Sequence, residues 1–111
     1  MRPAQGRGKA ELLCYLAGEL ARIAGGLDTL KTFTERNTAA YLVGCYCCTI
    51  QRVSEQSAGL LPAQALAEIQ REAGRIAEQV QEMQPEQAFP AVGESVSALL
   101  NQARKLCEKE E

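Results

Sequence analysis

The sequence predicts an all-α protein, with four amphipathic helices forming an antiparallel bundle or associating helical hairpins. Three observations lead there. Apolar residues recur at alternating steps of three and four along four segments, the spacing of one helical face. Short connections separate the segments, which favours antiparallel neighbours. No stretch alternates apolar and polar residues as a half-buried strand would. The chain has 111 residues, the size of one domain. The expected organisation is a disordered tail over residues 1–8, which hold two glycines and a proline, followed by a single helical domain over residues 9–111.

The first helix is expected to start near Lys9, with a stripe of Leu13, Leu16, Leu20, Ile23, Leu27 and Leu30. Gly25-Gly26 interrupts it at a cost of about 2 kcal/mol against two alanines. Either the helix stops there and Asp28 caps a second, longer helix, or it runs on to about Thr32. The stripe keeps phase across the glycines, which favours continuation. The second helix is expected from Thr34, an N-cap candidate followed by Glu35, to about Ser57, with Gly59 as the stop. Its main stripe is Ala39, Val43, Tyr46, Ile50 and Val53. A second apolar face carries Tyr41, Leu42, Cys45 and Cys48. The third helix opens at Pro62 and ends at Pro85, with a stripe of Leu66, Ile69, Ala73, Ile76, Val80 and Met83. Its outer face, Gln64, Glu68, Arg71, Glu72, Arg75, Glu78, Gln79 and Glu82, is polar and mixed in sign. The fourth opens at Pro90, after a Phe89 that would staple its start. It buries Val92, Val96, Leu99, Ala103 and Leu106, and Lys105 and Lys109 suit the dipole at its end.

Composition narrows the function classes. Net charge is -2, so no basic face is available to grip nucleic acid directly. There is no histidine, which removes the commonest general base and metal ligand at neutral pH. No nucleotide-binding or serine-hydrolase motif occurs. Enzymatic activity, cofactors and resident metals are therefore not expected. The N-terminal apolar segment is broken by Glu11 and Glu19, unlike a signal peptide. The uncharged stretch Thr38–Ile50 has 13 residues, short of the ~20 a membrane span needs. Five cysteines form no regular framework, and a reducing cytoplasm with free thiols is the expected setting.

Thr38–Ile50 is the segment around which the chain is organised. It holds Cys45, Cys47 and Cys48, which invites a thiol site. Cys45 and Cys48 make a C-x-x-C pair, but in mid-helix, where no N-terminal dipole lowers a thiol pKa. A structural zinc site wants four ligands in separated pairs, and only the isolated Cys14 and Cys107 remain. Small, polarizable side chains filling a helix contact are the better reading. The Glu78–Glu82 pair lies opposite its helix's apolar stripe and reads as a solvated face.

The second apolar face of the second helix asks for cover from within the bundle or from another chain. On the first helix, Leu12, Tyr15 and Arg22 lie off the stripe, where they are the edge of the core or the rim of a binding surface. The seven positions Leu12, Tyr15, Arg22, Tyr41, Leu42, Cys45 and Cys48 are the candidate protein-binding residues. Over its full length, and especially across Ala39–Cys48 and Leu66–Met83, the chain resembles the small helical anti-activators of bacterial quorum sensing. The resemblance implies a homodimer that binds the ligand-binding domain of a LuxR-type transcription regulator, covers its dimerisation surface and stops DNA binding. It transfers no individual interface residue. The competing readings are a structural or chaperone-like accessory protein, for example of a secretion system, and a cysteine-based metal-binding bundle.

Overall fold

The computed structural model describes the backbone of residues 3–26, 31–82 and 85–109, and the side chains of residues 7–26, 31–81 and 93–107. Four helices follow one another: α1 (Pro3–Gly25), α2 (Phe33–Gln56), α3 (Ala63–Glu82) and α4 (Pro85–Lys109). Each helix packs on its neighbours in sequence, and α1 closes the ring against α4. Three contacts show the antiparallel sense. Near the start of α1, Lys9 Nζ donates to Gln56 Oε1 at the end of α2, at 3.3 Å. The side chains of Gln51 on α2 and Gln70 on α3 each donate to the other's carbonyl oxygen at 3.4 Å. Cys107 Sγ, near the end of α4, donates to Ala10 O, near the start of α1, at 3.5 Å.

The core is one cluster built from the stripes of all four helices: Leu13, Leu16 and Leu20; Val43, Ile50 and Val53; Leu66, Ile69 and Ile76; Val96, Leu99 and Leu106. Leu27, Asp28, Leu30 and Met83, and the side chains of Glu82, Phe89, Pro90, Val92 and Lys109, lie outside the described residues.

Helix ends differ from the sequence expectations. α1 begins at Pro3 rather than Lys9, so residues 3–8 are helical where a tail was expected. Proline suits the first turn, because its missing N–H would have no intrahelical partner there. At its other end α1 stops at Gly25 instead of running to Thr32. Gly26 N donates to Arg22 O at 3.1 Å, and the unfavourable propensity of the glycine pair outweighs the continuity of the stripe. α2 is capped by Thr32, not Thr34: Thr32 Oγ1 accepts from Glu35 N at 3.0 Å, and Glu35 Oε1 accepts from Thr32 N at 3.1 Å. That is a reciprocal capping box. α4 begins at Pro85 rather than Pro90, so the break before it is shorter than expected and Pro90 lies within the helix.

The capping box leads to a measurable expectation. These hydrogen bonds from Thr32 and Lys31 to its carboxylate hold the Glu35 pKa below its ordinary value. A depressed carboxylate pKa contributes stability that is present above the unfolded-state pKa and is lost as pH falls through the folded one. Thr32→Ala should cost about 1 kcal/mol in denaturant unfolding at neutral pH. The acid side of the stability profile should change little, because the larger causes of the Glu35 shift, the backbone N–H groups of Thr32 and Lys31, remain in the variant.

Between α2 and α3 the chain turns tightly. Ser57 O accepts from Leu60 N at 2.9 Å and Leu61 N at 3.2 Å. Gly59 has a φ of 85°, a left-handed conformation that glycine adopts without steric cost. Buried Ser54 and Ser57 donate to Ile50 O and Val53 O at 2.8 and 2.7 Å, so their hydroxyls are satisfied inside the bundle.

On α3, Glu72 departs from its expected place on the solvated face. It is 8% exposed, flanking the Ile69–Ala73 stripe where neighbouring helices cover a wider arc than the stripe alone. Its Oε2 lies 3.7 Å from Arg71 Nη2. Its Oε1, and Oε1 of the half-buried Gln79, find no hydrogen-bond partner among the described residues.

Candidate protein-binding surface

α2 positions the surface. Ala39, Val43, Cys47, Ile50, Val53 and Ser54 turn into the bundle, leaving the opposite arc without cover. Tyr41 is 73% exposed and Leu42 40%; Cys45 and Cys48 are exposed as well. A groove of about 660 Å³ runs beside this arc, lined by Tyr41, Gly44, Cys45, Cys48 and Arg52 of α2 and by Val80 of α3, among others. From Asn37 to Gln51 the helix carries no charge, and Arg52 is the cation among the groove's described lining residues.

On α1, Tyr15 is 63% exposed and Leu12 40%. Arg22 is exposed and pairs with Glu19 at 2.6 Å. The hydrogen bond and charge of Glu19 raise the Arg22 pKa further, with smaller contributions from Tyr46 of α2 and from Tyr15. Arg22 is thus a permanent cation where the exposed side of α1 approaches α2. Leu12 and Tyr15 are not among the residues lining the groove.

The structure separates the three adjacent cysteines. Cys47 is fully buried in the core, and burial, with a smaller contribution from Cys48, pushes its thiol pKa up to about 12. Its helical spacing from Val43, Ile50 and Ser54 is the signal that places it in the main stripe. Tyr46, expected there, is only partly buried. All five cysteines are free thiols. Among the described residues, no three cysteine, aspartate or glutamate side chains converge to hold a metal ion. Alkylation of the native protein with iodoacetamide should modify Cys45 and Cys48 first. Cys47 should react only on unfolding, because the thiolate is the reactive form and is suppressed there. Cys47 modified as fast as Cys48 would contradict its burial.

Phe33 is a residue the sequence reading missed. It is 66% exposed at the start of α2, eight positions before Tyr41 and therefore about 80° round the helix from it. That spacing was readable, but the expected start at Thr34 left Phe33 outside the helix.

Among the described residues, no helix is long and apolar enough to cross a membrane. Comparisons with protein-family models, curated proteins and solved structures found no match to this chain.

Proposed function

We propose that the protein is a small binding regulator that uses the exposed arc of α2 to occlude a partner protein. The observation that carries this reading is the uncharged stretch of helix from Asn37 to Gln51, with Tyr41 presented to solvent at an open groove and Leu42 exposed outside it. Large exposed apolar patches on soluble proteins mark interaction sites, and an apolar helix face with anchors three, four and seven positions apart is a recurrent recognition element. Gly44 supports the same reading. A glycine in a helix interior costs about 1 kcal/mol against alanine, yet a Cβ at this position would meet nothing within 4 Å. Packing inside the bundle therefore does not require glycine here, whereas close approach of another backbone would.

The resemblance to quorum-sensing anti-activators supplies the partner class. In this reading the chain forms a homodimer, binds the ligand-binding domain of a LuxR-type regulator and prevents the regulator's own dimerisation, so that DNA binding is lost. Affinity purification from the native host, with sizing of the isolated protein, tests it. The expected results are a dimer in isolation and co-purification with a transcription regulator. A strict monomer with no stable partner, or a partner without a transcription-factor domain, would overturn the reading.

A further inference from the structure

Cys14 and Cys107 are far apart in sequence, and the bundle brings them together. α1 and α4 pack antiparallel along the closing seam of the ring. Cys107 Sγ donates to Ala10 O at 3.5 Å, one helical turn before Cys14 on the same side of α1, and the Cys14 thiol lies near enough to raise the Cys107 pKa. Both residues are half-buried free thiols. They sit at the edge of the core rather than inside it, because Ala10, Leu13, Ala17, Ala103 and Leu106 already fill the seam. A small reagent can reach them, unlike Cys47.

We propose that Cys14 and Cys107 are a redox pair that closes to an intrachain disulfide between α1 and α4 when the protein meets a low-molecular-weight disulfide such as oxidised glutathione. Cys14 is the attacking thiol. Burial, then the neighbouring Cys14, raises the Cys107 pKa, which suits Cys107 to the resolving role. The Cys14 thiolate attacks one sulfur of the small disulfide. That S–S bond breaks, and the first small thiolate leaves and takes up the proton Cys14 gave up. Cys107 then loses its proton and attacks the Cys14 sulfur of the mixed disulfide. The second small thiolate leaves with that proton. Two electrons pass from the protein dithiol to the small disulfide, which becomes two thiols. The product staples the first helix to the last and closes a loop of nearly the whole chain, where cross-links constrain the unfolded state most.

The test treats the full-length protein with oxidised glutathione, blocks remaining thiols with iodoacetamide and maps peptides without reduction. The expected result is a Cys14–Cys107 linked peptide lacking two hydrogens, and a Tm higher by on the order of 10 °C that dithiothreitol reverses. In Cys107→Ser, Cys14 should carry a stable glutathione adduct and the Tm gain should vanish. Cys14 and Cys107 both recovered as separate adducts, or linked only to Cys45, to Cys48 or between chains, would overturn the proposal. The peptide map of the unsubstituted protein decides the matter even if Cys107→Ser does not fold.

Discussion

Leu99→Ala is expected to lower the unfolding free energy by about 3 kcal/mol, within the 2–5 kcal/mol range for a leucine removed from a packed core. For a chain of this length that is a fall in Tm of roughly 10–20 °C. Leu99 is fully buried on α4, the helix that packs against both α3 and α1. Truncating it leaves a cavity in the core, and a helix held on both sides cannot easily collapse into the space. Leu12→Ala is the internal comparison. Leu12 is partly exposed on α1, so its loss should stay near 0.5 kcal/mol, as for a surface position. Denaturant midpoints of the two variants measure the difference. A Leu99→Ala cost below 1 kcal/mol, or one no larger than that of Leu12→Ala, would contradict the placement of the core.

Tyr41→Arg is expected to do the reverse, leaving the fold intact and abolishing partner binding. The side chain is nearly free of the bundle, so the substitution should change stability by no more than about 0.5 kcal/mol. In a docked complex the same arginine would place a charge in an apolar contact and remove an aromatic anchor. Hot-spot truncations cost 2 kcal/mol or more, so binding should weaken at least about 30-fold. Cys45→Arg, on the same arc, should behave alike. If either substitution unfolds the isolated protein, this arc is core and the interface assignment fails.

The helices and their buried stripes were legible because periodicity reports one continuous quantity, the side of a helix that is covered. Leu66, Ile69, Ala73 and Ile76 on α3, and Val96, Leu99, Ala103 and Leu106 on α4, are buried as their spacing required. Helix ends were less legible, because each is decided by a contest between local terms of about 1 kcal/mol. Gly25-Gly26 ended α1 against an in-phase leucine stripe. Thr32 and Thr34 both stand before a helical run, and what selects Thr32 is the position of Glu35 three residues on, where its carboxylate can reach back. Pro85 and Pro90 are both compatible with a helix start, and the chain uses the earlier one.

The candidate surface was partly legible for a related reason. A helix that is apolar all round, placed in a ring of four, has one arc covered and another open, so Tyr41, Cys45 and Cys48 emerge opposite Val43 and Ile50. What spacing within one helix cannot report is which residues on different helices meet. Cys14 and Cys107 looked isolated and are neighbours, because the chain's two ends close the ring. Glu72 looked solvated and is buried, because burial at the flank of a stripe depends on how adjacent helices cover it.

The central claim is that the exposed arc of α2 occludes a regulator's dimerisation surface. An operator-shift titration tests it most directly, with a LuxR-type regulator from the same host, the protein added in increasing amounts, and Tyr41→Arg run in parallel. The account predicts that the unsubstituted protein abolishes the regulator–DNA complex, and that folded Tyr41→Arg leaves the complex in place at the same concentrations. A regulator that keeps its operator at saturating protein, or a Tyr41→Arg variant that inhibits as well as the unsubstituted chain, would contradict it.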